Sequence, residues 1–185
     1  MNTLDCIKTR RSTRRYTDQE VPGDILKRLV EFGTLAPTAD GLEPWSFVVV
    51  QGTDKVTKLS DLVKAHIAAN SEKYPQFADH MKPVLSKTAQ LFFRAPGLVL
   101  IYGDTGSYWY RYDCSLAAAN IILAAHEIGL GSCWVGYAEP YFNSPEGRKL
   151  FDIPDSRQMV AAITIGFPEK ALPLSTRREA KIHMV

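Results

Sequence analysis

Wound as a helix, CSLAAANIILAAHEIG (Cys114 to Gly129) is apolar on nearly every side. The helix is predicted from about Tyr108 to Ile128, and a helix of that kind needs cover over most of its surface. In a chain of 185 residues, part of that cover can come from another subunit. Gly129 is the natural residue to stop it, since glycine takes the left-handed C′ position readily. Gly131 to Tyr137 (GSCWVGY) follows at once as a short strand or extended turn.

Working outward, three runs read as strands: Ser46 to Gln51 (SFVVVQ), Gly97 to Gly103 (GLVLIYG) and Met159 to Phe167 (MVAAITIGF). Asp24 to Leu35 is predicted as a helix with Ile25, Leu26, Leu29, Val30 and Phe32 on one face. Ala36-Pro37-Thr38 ends it, because proline disfavours helix at the residue before it. Residues 54–93 read as mostly helical with breaks at Pro75 and Pro83, and Ser144-Pro145 starts a small helix. Helices and strands mix without regular βαβ alternation, which points to an α+β domain, a small central sheet under helices. One domain spans residues 1–185, with a polar, basic arm over about 168–185.

Lys and Arg number 22 against 20 Asp and Glu, so the net charge is +2 and a general nucleic-acid binder is not expected. Hydrophobic residues at 45% can fill a core without staples. No run of 18 apolar residues suggests a membrane span. The start, MNTLDCIKTRR, lacks a signal-peptide core, so a cytoplasmic protein is expected. Cys6, Cys114 and Cys133 are odd in number and form no CxxC, which argues against a disulfide framework or a cysteine zinc site. The sequence has no GxGxxG, P-loop, GxSxG or HExxH, and its four histidines are dispersed. No metal site is expected, and any demanding chemistry would fall to a cofactor.

Three segments remain. Arg10 to Arg15 (RRSTRR) packs four arginines and two hydroxyls into six residues, a composition suited to phosphate; a solvated basic turn or a nucleic-acid contact would use the same residues. Ala36 to Trp45 (APTADGLEPW) sets two prolines and small residues along a tight path where backbone could approach a flat ligand. Trp45 reads as core. Gly129 to Gly136 (GLGSCWVG) runs from a helix stop into a strand, with Cys133 read as a buried small residue rather than a nucleophile.

Taken in this order, the three segments resemble the nitroreductase family of FMN-dependent oxidoreductases. Arg10, Ser12 and Arg14 fit its phosphate motif, R-x-S-x-R/K. Pro37 to Trp45 is similar to its Pro-Ser-x-x-N-x-Gln-Pro-Trp segment, and Gly129 to Gly136 to its helix–GLGS–W–G segment. Ile165-Gly166-Phe167-Pro168 resembles its closing strand and turn. Thr38 stands for the family's Ser, Gly41 for its Asn and Glu43 for its Gln, and residues 52–94 are unmatched.

The resemblance implies a nitroreductase-like fold: a central mixed or antiparallel sheet flanked by helices, in an intertwined homodimer with two FMN sites at the subunit interface. Arg10, Ser12 and Arg14, with Arg177 or Arg178, would hold the FMN phosphate. Arg11 would lie along the flavin or offer backbone contacts. Pro37, Thr38, Ala39 and Gly41 would approach the isoalloxazine from the partner subunit. Trp134, Val135, Gly136 and Tyr137 would pass backbone beside the ring, with the Gly136 N–H at flavin N5 and no catalytic side chain. The implied activity is ping-pong hydride transfer from NADPH or NADH, through N5, to a nitroaromatic, quinone or similar acceptor. Tyr74, Phe77, Tyr108, Trp109 and Tyr110 are candidate walls for that acceptor. Relatives of this fold also include flavin-fragmenting enzymes, for which Asp40 or Glu43 could be the acid near the ring, and dehalogenating ones; a rival of a different class is a non-catalytic FMN sensor, which the Gly41 and Glu43 departures favour.

Overall fold

The computed structural model describes residues 2–174 and 176–185. Strands Trp45–Gln51 (β1), Gly97–Asp104 (β2), Gly131–Trp134 (β3) and Arg157–Gly166 (β4) form one sheet in the order β1-β2-β4-β3. Every neighbouring pair is antiparallel, so of the two sheet types expected it is the antiparallel one. Among the described residues the helices are Thr3–Thr9 (α1), Gly23–Gly33 (α2), Thr53–Ala69 (α3), Met81–Val84 (α4), Tyr110–Glu127 (α5), Glu139–Phe142 (α6) and Pro145–Lys149 (α7).

Strand β2 explains the layering. Leu98, Leu100 and Tyr102 pack with Val56, Leu59, Val63 and Ile67 of α3 on one face. Val99 and Ile101 pack with Leu26 and Leu29 of α2 and with Ala117, Ala118, Ile121 and Ala125 of α5 on the other. Both sets are buried, which is why the run is continuously apolar instead of alternating. Each fully buried aliphatic side chain stabilises by about 1.5–3 kcal/mol. The sheet therefore lies between two helical layers, not beneath one. Ile101 pairs with Ala161 but Tyr102 with Met159, so Val160 is the extra residue of a β-bulge that sets Met159 and Ala162 on the same face.

Helix α5 ends as its sequence predicts. Gly129 has φ +83°, its N–H donates to His126 O, and the Leu130 N–H donates to Ala125 O at 2.8 Å. Those two bonds make a Schellman motif. The side of α5 turned from the sheet leaves Tyr112 62% and Leu116 44% exposed.

Four boundaries differ from expectation. Helix α2 stops at Gly33 with Thr34 as its cap, ahead of Pro37. Only the first part of 54–93 is a long helix; beyond α3 the chain makes short 3-10 helices at Ser71–Lys73 and Pro75–His80 before the four-residue α4. Pro83 lies inside α4, in a first turn where its missing N–H has no partner to lose. Helix α1 was not expected, and its signal is Asn2, whose side chain accepts from the Asp5 N–H at 3.0 Å. No described helix is long and apolar enough to cross a membrane.

Candidate functional site

After α1 the chain runs extended along the edge of β3. Ser12 bridges Ser132 in the parallel sense, and the Thr13 N–H donates to Ser132 O at 2.9 Å. Gly131 lies so close beneath Thr13 that a Cβ there would collide with its Oγ1, so only glycine admits the segment this near. The buried Tyr16 hydroxyl donates to Thr13 O at 2.7 Å and meets Thr164 Oγ1 at 2.8 Å. Below the segment, α1 is fastened to the end of α5 by Cys6 Sγ to Glu127 Oε2 at 2.9 Å and Thr9 Oγ1 to His126 Nε2 at 2.8 Å.

This seam gathers Arg10, Ser12 and Arg14 around Cys133. The Cys133 thiol is pushed up by burial, against the pull of Arg14, the Ser12 hydrogen bond and Arg10. It is a buried, protonated small residue, as its sequence suggests. Burial, then the charges of Arg177 and Arg11, hold the Arg10 guanidinium below its ordinary pKa, and Arg10 Nε is buried without a hydrogen-bond partner. Of the two arm arginines, Arg177 is the one whose charge acts on Arg10. The Arg11 guanidinium donates to the carbonyls of Lys8, Arg10 and Pro173. Its side chain pins the arm to the end of α1. The arm runs back beside the segment, with Tyr16 bridging Pro168 and Glu169 N–H donating to Arg15 O. A cleft of about 370 Å³ opens here between Ser12, Thr13, Arg14, Arg15, Lys170 and Leu172.

At the end of β3, Trp134 is 40% exposed, and the next residue, Val135, is buried with its N–H donating to Ala162 O at 2.8 Å. Gly136 is exposed, and a Cβ added there would meet nothing within 4 Å. The Tyr137 ring packs on Phe77 at 4.7 Å, and Phe77 on Tyr74 at 6.0 Å. The unmatched segment thus contributes Tyr74 and Phe77 beside the 134–137 turn.

Pro37 to Gly41 lie elsewhere. The Ala39 N–H donates to Asp113 Oδ1 at 3.2 Å, which fixes the loop to the first turns of α5. Asp40 (φ 53°), Gly41 (φ 63°) and Glu43 (φ 45°) are all left-handed. Tyr108, Trp109 and Tyr112 form an exposed aromatic cluster at this same end, with ring spacings of 4.8 and 5.7 Å. Tyr110 instead turns inward and donates to Gln158 Oε1 at 2.8 Å. About 20 Å of helix separates Asp113 from His126 at 1.5 Å per residue. One chain therefore brings Arg10, Ser12, Arg14 and Arg177 to one end of α5 and Pro37, Thr38, Ala39 and Gly41 to the other, while β3 leads the 134–137 turn back along the helix toward Arg111, whose Nη1 lies 3.4 Å from Glu139 Oε1. Asp113 itself was not legible as a site residue, since a single carboxylate in a helix ordinarily faces solvent.

The sequence model of the Nitroreductase family matches residues 7–167. A protein of Methanothermobacter thermautotrophicus, named as an NADH dehydrogenase/NAD(P)H nitroreductase, is 31% identical over 174 residues, 91% of this chain and 78% of its own. An iodotyrosine deiodinase of Thermotoga neapolitana is 26% identical over 182 residues, 95% of this chain and 93% of its own. The crystal structure of a nitroreductase with bound FMN from Bacteroides fragilis has a TM-score of 0.86 at 28% identity, covering 100% of this chain and 99% of that one.

Proposed function

This chain belongs to the nitroreductase family, and on that premise we propose that it is an FMN-dependent NAD(P)H oxidoreductase working as a homodimer. The observation that carries the reading is Arg10: a guanidinium with a buried, unpartnered Nε among like charges from Arg11 and Arg177. An anion beside it would satisfy that Nε and offset the like charges, and a phosphate brings nearly two negative charges and several acceptors. The residues present fit FMN. Arg10, Ser12, Arg14 and Arg177 would hold its phosphate, while Arg11 keeps the arm in register. The open side of Gly136 would admit its ring next to the backbone of Trp134, Val135 and Tyr137. FMN, when bound, supplies the capacity to accept and pass on a hydride.

Pro37, Thr38, Ala39 and Gly41 would complete the site from a second copy, because they stand at the far end of α5 from the arginines of their own chain. The exposed Tyr112 and Leu116 along that helix give such a copy an apolar surface to cover. Tyr74, Phe77 and Tyr137 from one copy and Tyr108, Trp109 and Tyr112 from the other would exclude water and orient a flat acceptor of the nitroaromatic or quinone class. Residues 1–185 would act as one FMN-binding domain, with 168–185 as its arm. Three free cysteines suit the reducing cytoplasm.

The test is an anaerobic absorbance spectrum of the purified protein before and after NADPH, and then NADH. Flavin bands that bleach quickly with one nucleotide support the reading and identify the donor. Bands that persist point to a sensor, and a protein that neither carries nor binds FMN overturns the assignment. The deiodinase relative motivates a second reading, reductive dehalogenation. It predicts iodide release from 3-iodotyrosine by the reduced protein in preference to turnover of a nitroaromatic.

A further inference from the structure

Resting on the FMN reading, we propose that Asp113 is a positioning residue for the flavin: through the Ala39 backbone it holds the Pro37–Gly41 loop where the partner's cofactor meets it. Asp113 is 3% exposed on a helix whose neighbouring buried positions are Cys114, Ala117 and Ala118. A carboxylate in such surroundings costs several kcal/mol unless its oxygens are bonded, and an apolar residue of similar volume would pack there more favourably. One oxygen accepts from the Ala39 N–H at 3.2 Å; the other is buried and without a partner. The side chain's one hydrogen-bonded oxygen thus points at the loop.

The loop needs that hold. Asp40 and Glu43 are non-glycine residues in the left-handed region, which strains the backbone at Glu43 most, so this path is not one the backbone adopts unaided. At its far end the loop is tied through Pro44, whose carbonyl accepts from the Asp104 N–H at 2.9 Å and from Arg157 Nη1 at 3.1 Å. At its near end the tie is Asp113 to Ala39. Between these anchors stand the residues that would face the isoalloxazine, so the place of Thr38 and Ala39 is set from beneath by one carboxylate.

The experiment compares the FMN-loaded protein with Asp113→Ala, Asp113→Asn and Ala39→Pro, reading the FMN dissociation constant and the bound-flavin absorbance spectrum alongside circular dichroism. Asp113→Ala is expected to weaken FMN binding about tenfold or more, the size of a hydrogen bond to a charged group, and to change the bound spectrum. Asp113→Asn keeps the Oδ1 acceptor and is expected to restore both. Ala39→Pro removes the same bond from its other end. Thr38 at φ −129°, ψ 151° already has the conformation a following proline demands. It should match Asp113→Ala, and the double variant should be no worse than either, because both remove one interaction. If Asp113→Ala does not fold, Ala39→Pro carries the test. A folded Asp113→Ala that binds FMN as the wild type does, an Asn variant as weak as the Ala variant, or additive losses in the double variant would each overturn the proposal. A wild-type protein that does not bind FMN overturns the cofactor reading instead.

Discussion

The two ends of α5 are built from opposite materials. At Glu127 and His126 the helix meets α1 and the seam that gathers Arg10, Ser12, Arg14 and Arg177, a region organised by charge. At Asp113 it meets a proline-bounded, left-handed loop and three exposed aromatic rings, a region organised by shape. The first gathers like charges that an anion would offset; the second presents exposed aromatic rings that could cover a flat ligand. The division makes sense if each end completes the other's counterpart in a second copy.

The largest effect should come from the surface that would join two copies. Leu116→Glu is expected to give a monomer without flavin, since a charge buried in an apolar interface costs several kcal/mol. Sedimentation velocity checks this, and a flavin-loaded dimer of that variant would show that the ends of α5 need no partner. Next comes a mixing experiment. Arg10→Ala and Asp113→Ala should each bind FMN poorly, yet mixed dimers should regain one tight site apiece, because one of their two sites then draws both halves from unmutated residues. Titration with FMN reads the recovery; its absence would place both halves of a site in one chain. Within the charged end, Arg10→Ala should cost about 1.5–3 kcal/mol of FMN affinity and Ser12→Ala about 1 kcal/mol. Arg178→Ala should leave affinity unchanged where Arg177→Ala lowers it; the reverse order would mean that the arm offers the other arginine.

The smallest effect concerns pH. At the shape end, Cys114 is fully buried and its thiol is pushed from the ordinary 9.0 up to about 12, by burial first and then by Asp113. The folded state therefore holds this proton more tightly than the unfolded chain. Its contribution is complete below about pH 9 and is lost as pH rises toward 12. Urea melts across that range should show falling stability, and Cys114 should resist alkylation at pH 8 until the protein unfolds.

How much of this was legible in the sequence depends on whether a feature is local. The apolar runs of β1, β2, β4 and α5 announce themselves by pattern, and Gly129 marks its stop with a residue type. The charged end was legible for the same reason, since four arginines in six residues state their chemistry outright. Helix α1 was missed because seven residues carry little periodicity and only Asn2 signals its start. Which of Arg177 and Arg178 lies nearer Arg10 depends on how the arm runs, and adjacent identical residues cannot encode that. Asp113 was invisible for a deeper reason. Its meaning comes from a backbone amide at Ala39, far away in sequence, and from burial that only the assembled layers create.

The junction at Gly129-Leu130 has a mechanical consequence. The Schellman bonds close α5 at its end, and β3 starts at Gly131 with its glycine locked beneath Thr13. No slack separates helix from strand. A tilt of α5 would therefore carry the start of β3 with it, as a crank turns its shaft.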